Sequence, residues 1–160
     1  CEKATLKVNG EPVQGTWKAN TYAEVNRIWK KGDCVEWVMD MPVKLLEANP
    51  LAEEIRNQVV VKRGPLVYCL EEVDNGAQLH MLYASPEAVE QAETYTLPFL
   101  GREAVGYQFA GFRKKANTDS DPLYHKAERE EYQPVTLKWI PYFAWANREE
   151  GEMRVWIYKK

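Results

Sequence analysis

Cysteine and histidine are scarce in this chain of 160 residues. It contains three cysteines, at Cys1, Cys34 and Cys69, and two histidines, at His80 and His125. The cysteines lie far apart and no CxxC pair or Cys/His cluster occurs, so we expect no structural zinc site. Any single disulfide would leave one cysteine unpaired. The positions of the cysteines do not indicate a cellular compartment.

An excess of charge of one sign and long apolar runs are also missing. The formal net charge is -3, and no stripe of lysine and arginine stands out. Nucleic acid is therefore not expected as a partner. No apolar run approaches the roughly 18 residues needed to cross a bilayer, so we expect no membrane span.

Local signatures of catalysis are missing as well. No GxSxG, P-loop or HExxH motif occurs, so nothing local marks a nucleophile or a metal. Asn117, Asp119 and Asp121 resemble the spaced oxygens of a calcium loop. The glycine at the sixth and the glutamate at the twelfth position of that pattern are absent, which favours a solvated loop. We therefore expect no catalytic residue and no metal ligand in this chain.

The chain is rich in strand signals. Residues 4–8 run into Asn9-Gly10, the strongest short hairpin signal, with a return strand at 11–13. Residues 34–41 alternate between apolar and polar, as a half-buried strand does, and we expect them to pair with a strand at 22–29. Short strands with turn signals and almost no helical periodicity predict an all-β, antiparallel, jelly-roll-like β-sandwich. Further strands are expected at 58–63, 66–70, 79–83, 93–97, 105–112, 135–140 and 153–158.

Two polar segments interrupt this strand rhythm. Residues 47–58 contain Pro50 and one helical turn at 51–56, and they indicate a domain boundary or a crossover. Residues 117–133 form the most polar stretch of the chain, which is typical of a surface loop.

Aromatic residues give the strongest indication of a ligand. The chain has 6 Trp, 9 Tyr and 4 Phe, and Trp139, Tyr142 and Trp145 lie close together near its end. Such rings stack on sugars when a β-sandwich displays them on one face. The alternative, which we favour, is that they pack in the core or against a neighbouring domain. These three residues are the candidate carbohydrate-binding site.

Four motifs in order connect the chain with a known family. Together they resemble the C-terminal β-sandwich region of glycoside hydrolase family 127, the β-L-arabinofuranosidase type. The resemblance weakens between about residues 79 and 134. The motifs are KVNGEPV at 7–13, WKKGDCVEWVMDMPVKLLEANP at 29–50, VVVKRGPLVYCLEEVDN at 59–75 and IPYFAWANREEGEMRVW at 140–156.

The resemblance implies an architecture and a chemistry for a longer parent protein. Family members have an (α/α)6-barrel catalytic domain followed by two β-sandwiches, and they hydrolyse terminal L-arabinofuranose linkages with retention. A zinc-bound cysteine is the nucleophile and a glutamate the acid/base, both in the barrel. A metal-bound thiolate suits this role because the metal keeps it deprotonated. Cys34 and Cys69 fall in the sandwich motifs, so we assign them no catalytic role and expect no cofactor in this chain.

The resemblance also implies domains, partners and a role. Residues 1–48 would end the middle sandwich, and residues 49–160 would form the C-terminal sandwich. A middle domain lacking its first strands would expose a sheet edge, so we expect a dimer, or packing of the N-terminal part on the C-terminal sandwich. The expected role is a non-catalytic accessory region that supports the barrel. The alternative is a carbohydrate-binding module that holds an arabinose-containing glycan with its surface aromatics.

Overall fold

The computed structural model describes residues 3–15, 20–115, 122, 124, 126–127 and 129–160. The chain divides into two compact units, Cys1–Pro42 and Val43–Lys160. Part of the polar segment 117–133, including Asn117, Asp119, Asp121 and His125, lies outside the described residues.

The first unit contains a three-stranded antiparallel sheet. Its strands are β1 (Lys3–Val8), β2 (Glu11–Pro12) and β3 (Val35–Asp40), in the order β2-β1-β3. Asn9 and Gly10 join β1 to β2 with φ angles of 54° and 82°. Positive φ at both central residues suits a two-residue hairpin turn, so the hairpin predicted from Asn9-Gly10 is confirmed.

Residues 22–29, which we expected to form a strand beside β3, form none. β3 pairs with β1 instead, with Leu6 opposite Trp37. Side chains of Asn9 and Asp33 explain the difference. Asn9 Nδ2 donates to Asp33 Oδ1 at 2.9 Å, and the Cys34 amide donates to Asn9 Oδ1 at 2.8 Å. These bonds hold the start of β3 against the hairpin turn, so β1 takes the pairing.

The second unit is a nine-stranded β-structure with short helical turns. Pairing runs in the order β11-β6-β10-β9-β7-β12-β5-β4, with β8 on β9, and an added β5–β6 pairing closes a ring of six strands. The strands are β4 (Val43–Glu47), β5 (Gln58–Arg63), β6 (Leu66–Glu71), β7 (Leu82–Ala84), β8 (Glu93–Phe99), β9 (Arg102–Lys114), β10 (Tyr132–Pro141), β11 (Met153–Arg154) and β12 (Ile157–Lys159). The helical elements are α1 (Glu72–Asn75) and 3₁₀ turns at Glu53–Ile55, Leu79–Met81, Pro86–Gln91 and Tyr142–Ala144.

The division between the units falls after Pro42, whereas we expected it after residue 48. β4 pairs with β5, placing Leu45 opposite Val61, and so belongs to the second unit. The polar segment around Pro50 is therefore a connection within that unit, because a local break in strand pattern does not reveal which strands pair across it.

The final strand, expected as one element at 153–158, is divided. β11 pairs with β6, whereas β12 pairs with β5 and, in parallel, with β7. The chain changes partner strands at Val155 and Trp156, which form no ladder. This exchange helps to close the ring of strands. β12–β7 is the parallel pairing in an otherwise antiparallel set of described strands.

The core of the second unit lies inside this ring. Trp139 and Leu137 of β10 are both 0% exposed, and the Trp139 ring stacks on Phe109 with centroids 5.9 Å apart. Gly111 lets the neighbouring strand approach closely, because a Cβ there would lie 2.4 Å from Leu137 Cδ1. A smaller cluster forms around Cys69, Leu97, Ala104, Ile140 and Ala144. The predicted all-β sandwich is confirmed. Among the described residues, no helix has the length and apolar character of a membrane span.

Candidate functional site

An exposed aromatic surface, formed by Tyr142, Phe143 and Trp145, follows the end of β10. The three residues are 46%, 53% and 42% exposed. Pro141 is the last residue of β10, and it is followed by the 3₁₀ turn Tyr142–Ala144. Ala144 is buried in the smaller cluster. This one small buried residue fixes the turn, while the large rings around it face outward.

The rings of this aromatic surface contact each other and one strand of the sandwich. Tyr142 and Trp145 are stacked, with centroids 6.1 Å apart and planes inclined by 23°. Phe143 makes an edge-to-face contact with Phe99 at 5.4 Å. Because Tyr142 and Trp145 face each other, each covers part of the other ring and the pair does not form two side-by-side platforms.

The backbone after the aromatic surface is held by local hydrogen bonds. Asn147 Nδ2 donates to the carbonyl oxygens of Ala144 and Trp145, at 3.1 and 2.8 Å. The Asn147 side chain thus closes the turn, and the left-handed backbone residue beside it is Ala146, with φ of 60°.

A buried ion network attaches this loop to the sandwich. Arg148 donates to both carboxylate oxygens of Asp74, at 3.0 and 2.5 Å, and to Glu71 Oε2 at 2.5 Å. Glu71 is 4% exposed, and its other oxygen accepts the Ala146 amide at 2.9 Å. Hydrogen bonds to Asp74, and then to Glu71, raise the pKa of Arg148. A buried carboxylate requires such partners, so the network fixes the loop.

Further polar contacts hold α1, which carries Asp74, in place. Asn75 Nδ2 donates to the carbonyls of Glu71 and Lys138, and Asn75 Oδ1 accepts the Lys138 amide. Arg113 donates to the carbonyls of Asn75 and Ala77, at 2.6 and 2.7 Å. These bonds join α1 to β9 and β10. The aromatic surface therefore lies on a rigid base.

This ion network is not predicted by any local sequence pattern. The available signal was Glu71, a charged residue directly after the apolar run LVYCL in β6. An acidic residue continuing a buried strand needs a cation, but its partner Arg148 lies 77 positions away.

The structure separates the three residues of the candidate carbohydrate-binding site. Tyr142 and Trp145 lie together on the surface, but Trp139 is 0% exposed in the main core. Including Trp139 in a binding surface is therefore wrong. Side chains alternate along a strand, and Leu137 and Trp139 share the inward face of β10.

Neither described cysteine lies in a metal-binding arrangement. Cys34 is exposed and Cys69 is buried. Burial, and then the nearby Glu71 carboxylate, raise the pKa of the Cys69 thiol to about 12. In the part of the chain that the structure describes, no three His, Cys, Asp or Glu residues are grouped to hold a metal. Cys34 and Cys69 therefore do not fit a zinc site. His80, the histidine that the structure describes, is exposed and belongs to no such group.

Comparison with family models explains the two units. Residues 43–158 match the glycoside hydrolase family 127 C-terminal domain. Residues 1–41 match the middle domain of the same family, described as beta-L-arabinofuranosidase. The chain belongs to glycoside hydrolase family 127. The resemblance of its four motifs is thereby confirmed, and the two matches meet where the structure divides.

Relatives in glycoside hydrolase family 127 are considerably longer. The chain is 38% identical over 157 residues to the non-reducing end beta-L-arabinofuranosidase of Bifidobacterium longum subsp. longum, covering 94% of this chain and 23% of the relative. A beta-L-arabinofuranosidase of the family from Geobacillus stearothermophilus matches with a TM-score of 0.86 at 37% identity, over 100% of this chain and 25% of its own. The solved structure of another glycoside hydrolase matches with a TM-score of 0.86 at 49% identity, covering 99% of this chain and 26% of that protein. The chain thus spans about a quarter of these relatives.

Proposed function

We propose that this chain is a non-catalytic accessory region of a β-L-arabinofuranosidase-like glycoside hydrolase, and that it supports an (α/α)6-barrel catalytic domain. Two findings support this role: the chain matches the C-terminal domain of the family, and it spans only about a quarter of the length of its relatives. Zinc would belong to the barrel. The chain alone would have no hydrolase activity.

The aromatic surface carries the proposal. Tyr142, Phe143 and Trp145 are large, apolar and exposed, and exposed apolar patches mark interaction sites. Their loop is fixed by the buried carboxylate of Glu71 and by Arg148. A surface fixed before binding loses little conformational entropy when a partner covers it. We assign the barrel as that partner.

Association with the barrel tests this proposal. The barrel encoded by the same gene would be produced separately and titrated with the chain in a calorimeter. Phe143→Ser should weaken binding about tenfold or more, as expected for a central aromatic contact. The matched control is Tyr22→Ser, because Tyr22 is 97% exposed and lies in the other unit. Absence of a barrel in the gene, or equal binding by both variants, would refute the proposal.

Carbohydrate binding is the second candidate function. Tyr142 and Trp145 are both exposed and their planes differ by only 23°, which suits stacking on a sugar ring. Their mutual stacking reduces the area that a glycan could cover. Titration with L-arabinose oligosaccharides while Trp fluorescence is recorded tests it. A saturable change that is lost in Trp145→Ala, with the unfolding midpoint unchanged, would support binding.

The chain itself should not hydrolyse p-nitrophenyl β-L-arabinofuranoside. The assay needs added zinc and a thiol reductant, so that inactivity is not caused by a missing metal or an oxidised cysteine. Turnover above the buffer rate that disappears in Cys34→Ser or Cys69→Ser would overturn the accessory assignment.

A further inference from the structure

A groove on the second unit, lined by polar side chains among apolar ones and named the polar groove below, lies apart from the aromatic surface. Its volume is about 470 Å³, within the usual range for small-ligand sites. No residue of the aromatic surface lines it. The polar side chains that line it are those of Ser85, Glu87, Gln91, Glu93, Gln108 and Thr136.

The groove results from a change of strand partner along β9. Gln108 is opposite Glu93 of β8, whereas Gly111 is opposite Ala84 of β7. Phe109 and Ala110 lie between these two pairs, and neither is paired with β8 or with β7. The 3₁₀ turn Pro86–Gln91 bridges the two partner strands and forms a wall.

Hydrogen bonds arrange the side chains around this groove. Gln108 Nε2 donates to Glu93 Oε2 at 3.1 Å. This contact orients the amide and uses one of its two N–H donors, so that the other N–H and the carbonyl oxygen are available. The Ser85 hydroxyl donates to the Glu87 carboxylate. The groove thus combines hydrogen-bonded carboxylates of Glu87 and Glu93 with the oriented amide of Gln108.

The charge and floor of the groove restrict its ligand. Glu87 and Glu93 are the charged residues among the described residues that line the groove. The Lys160 ammonium lies 3.6 Å from the ring centroid of the lining residue Phe112. The two carboxylates favour a neutral ligand over an anionic one such as phosphate. Ala110 and Phe112, which share a face of β9 with Gln108, supply apolar surface among the polar groups. A ligand that matches both features has several hydroxyl groups and an apolar C–H face.

We propose that the polar groove binds a neutral sugar ring, with the Gln108–Glu93 pair contacting neighbouring hydroxyl groups. A carboxylate accepts from one hydroxyl while the adjacent amide N–H donates to the next, so a vicinal diol satisfies both. This site is independent of the barrel contact, because the two surfaces share no residue. It would give the accessory region a place to hold a glycan that the aromatic surface does not provide.

Amide chemical shifts of the ¹⁵N-labelled chain provide the test. The probe is methyl β-L-arabinofuranoside, titrated to tens of millimolar, with inorganic phosphate and calcium chloride as separate titrations. We expect saturable shifts confined to residues 85–93, 108–112 and 136. Phosphate and calcium should leave these resonances unchanged.

Variants identify the contacts. Gln108→Ala and Glu93→Gln should each weaken binding about tenfold, the effect of losing a hydrogen bond to a charged or well-oriented group. Gln133→Ala and Glu103→Gln are the matched controls, because both residues are exposed on neighbouring strand positions outside the groove. Both controls should bind as the unmodified chain does.

Three results would overturn the sugar site. One is no saturable shift with the glycoside, or shifts confined to the aromatic surface. Another is Gln108→Ala binding as tightly as Gln133→Ala, with both variants folded by their spectra. The third is that calcium or phosphate, but not the glycoside, shifts the groove resonances. Failure of barrel binding would leave this outcome unaffected, since the titration uses the chain alone.

Discussion

Arg148 Nη2 lies 2.5 Å from Glu71 Oε2, joining the loop after the aromatic surface to the end of a buried strand. The Glu71 side chain is only 5% exposed and that of Arg148 is 23% exposed. Asp74 contacts the same guanidinium. One arginine thus compensates two acidic groups, and the position of the aromatic rings depends on it.

Replacement of Arg148 should destabilise the second unit strongly. Arg148→Met leaves Glu71 without its cation, and breaking a buried pair from one side costs about 3–5 kcal/mol. Urea unfolding, followed by circular dichroism, measures the loss. Glu71→Gln combined with Arg148→Met should be more stable than Arg148→Met alone, because no buried charge is then left uncompensated at that position.

A surface pair serves as the control for that experiment. Lys115 contacts Glu131 at 3.1 Å, but their side chains are 62% and 72% exposed. Lys115→Met should therefore change stability little, since exposed pairs contribute little. Equal losses in Arg148→Met and Lys115→Met would contradict a structural role for the buried network.

Local sequence patterns predicted many of the strands and turns. They predicted much less of the pairing between strands that lie far apart in the sequence. The Asn9-Gly10 hairpin follows from neighbouring residues. The placement of β3 on β1 and of β4 with the second unit does not, because it depends on contacts between distant residues.

The aromatic surface was predictable only in part. Composition and spacing identified Tyr142 and Trp145, but they could not separate them from Trp139 until the inward face of β10 was known. The partner of Glu71 was hidden by sequence distance. The polar groove was also missed, because it arises from a partner change along β9 that leaves no local motif.

Stability should depend on pH through Glu152. Its carboxylate accepts the amides of Leu79 and Gln78, at 2.9 and 3.0 Å, and these bonds lower its pKa from 4.5. A depressed pKa in the folded state means that the ionised group stabilises the protein above the unfolded value of 4.5. That contribution is lost as the pH falls through the lower, folded value.

The variant Glu152→Gln isolates this contribution. Its loss of stability relative to the unmodified chain should be larger at neutral pH than at a pH below the lowered folded pKa, where the glutamate is protonated in both the folded and the unfolded state. Urea unfolding of both proteins across this interval measures the difference. A constant difference across the whole interval would show that the Glu152 charge does not matter.

The two described cysteines should differ in reactivity. Cys69 is 0% exposed, and burial raises the pKa of its thiol to about 12. The thiolate is the reactive form, so Cys69 should resist alkylation at neutral pH, whereas the exposed Cys34 should react. Iodoacetamide labelling and mass spectrometry, with Cys1 replaced by serine, measure both rates. Denaturant should make Cys69 reactive, and rapid labelling of Cys69 in the folded chain would contradict its buried position.

We expect the chain to form dimers through the edge of β3. β3 pairs with β1 on one side, and within the described ranges no strand covers its other side. Val38 and Met39 are 49% and 50% exposed, so this edge strand presents apolar side chains, which promotes pairing between copies. Light scattering during size-exclusion chromatography should show a mass that rises with concentration.

Charge at this edge should oppose association. Val38→Lys should shift the dimer to monomer, because lysine on an edge strand disfavours pairing with another copy. Leu51→Lys is the matched control, since Leu51 is 88% exposed in a connection outside the first unit. The control should dimerise as the unmodified chain does. A monomeric mass for the unmodified chain at high concentration, or dissociation by both variants alike, would exclude the β3 edge as the contact.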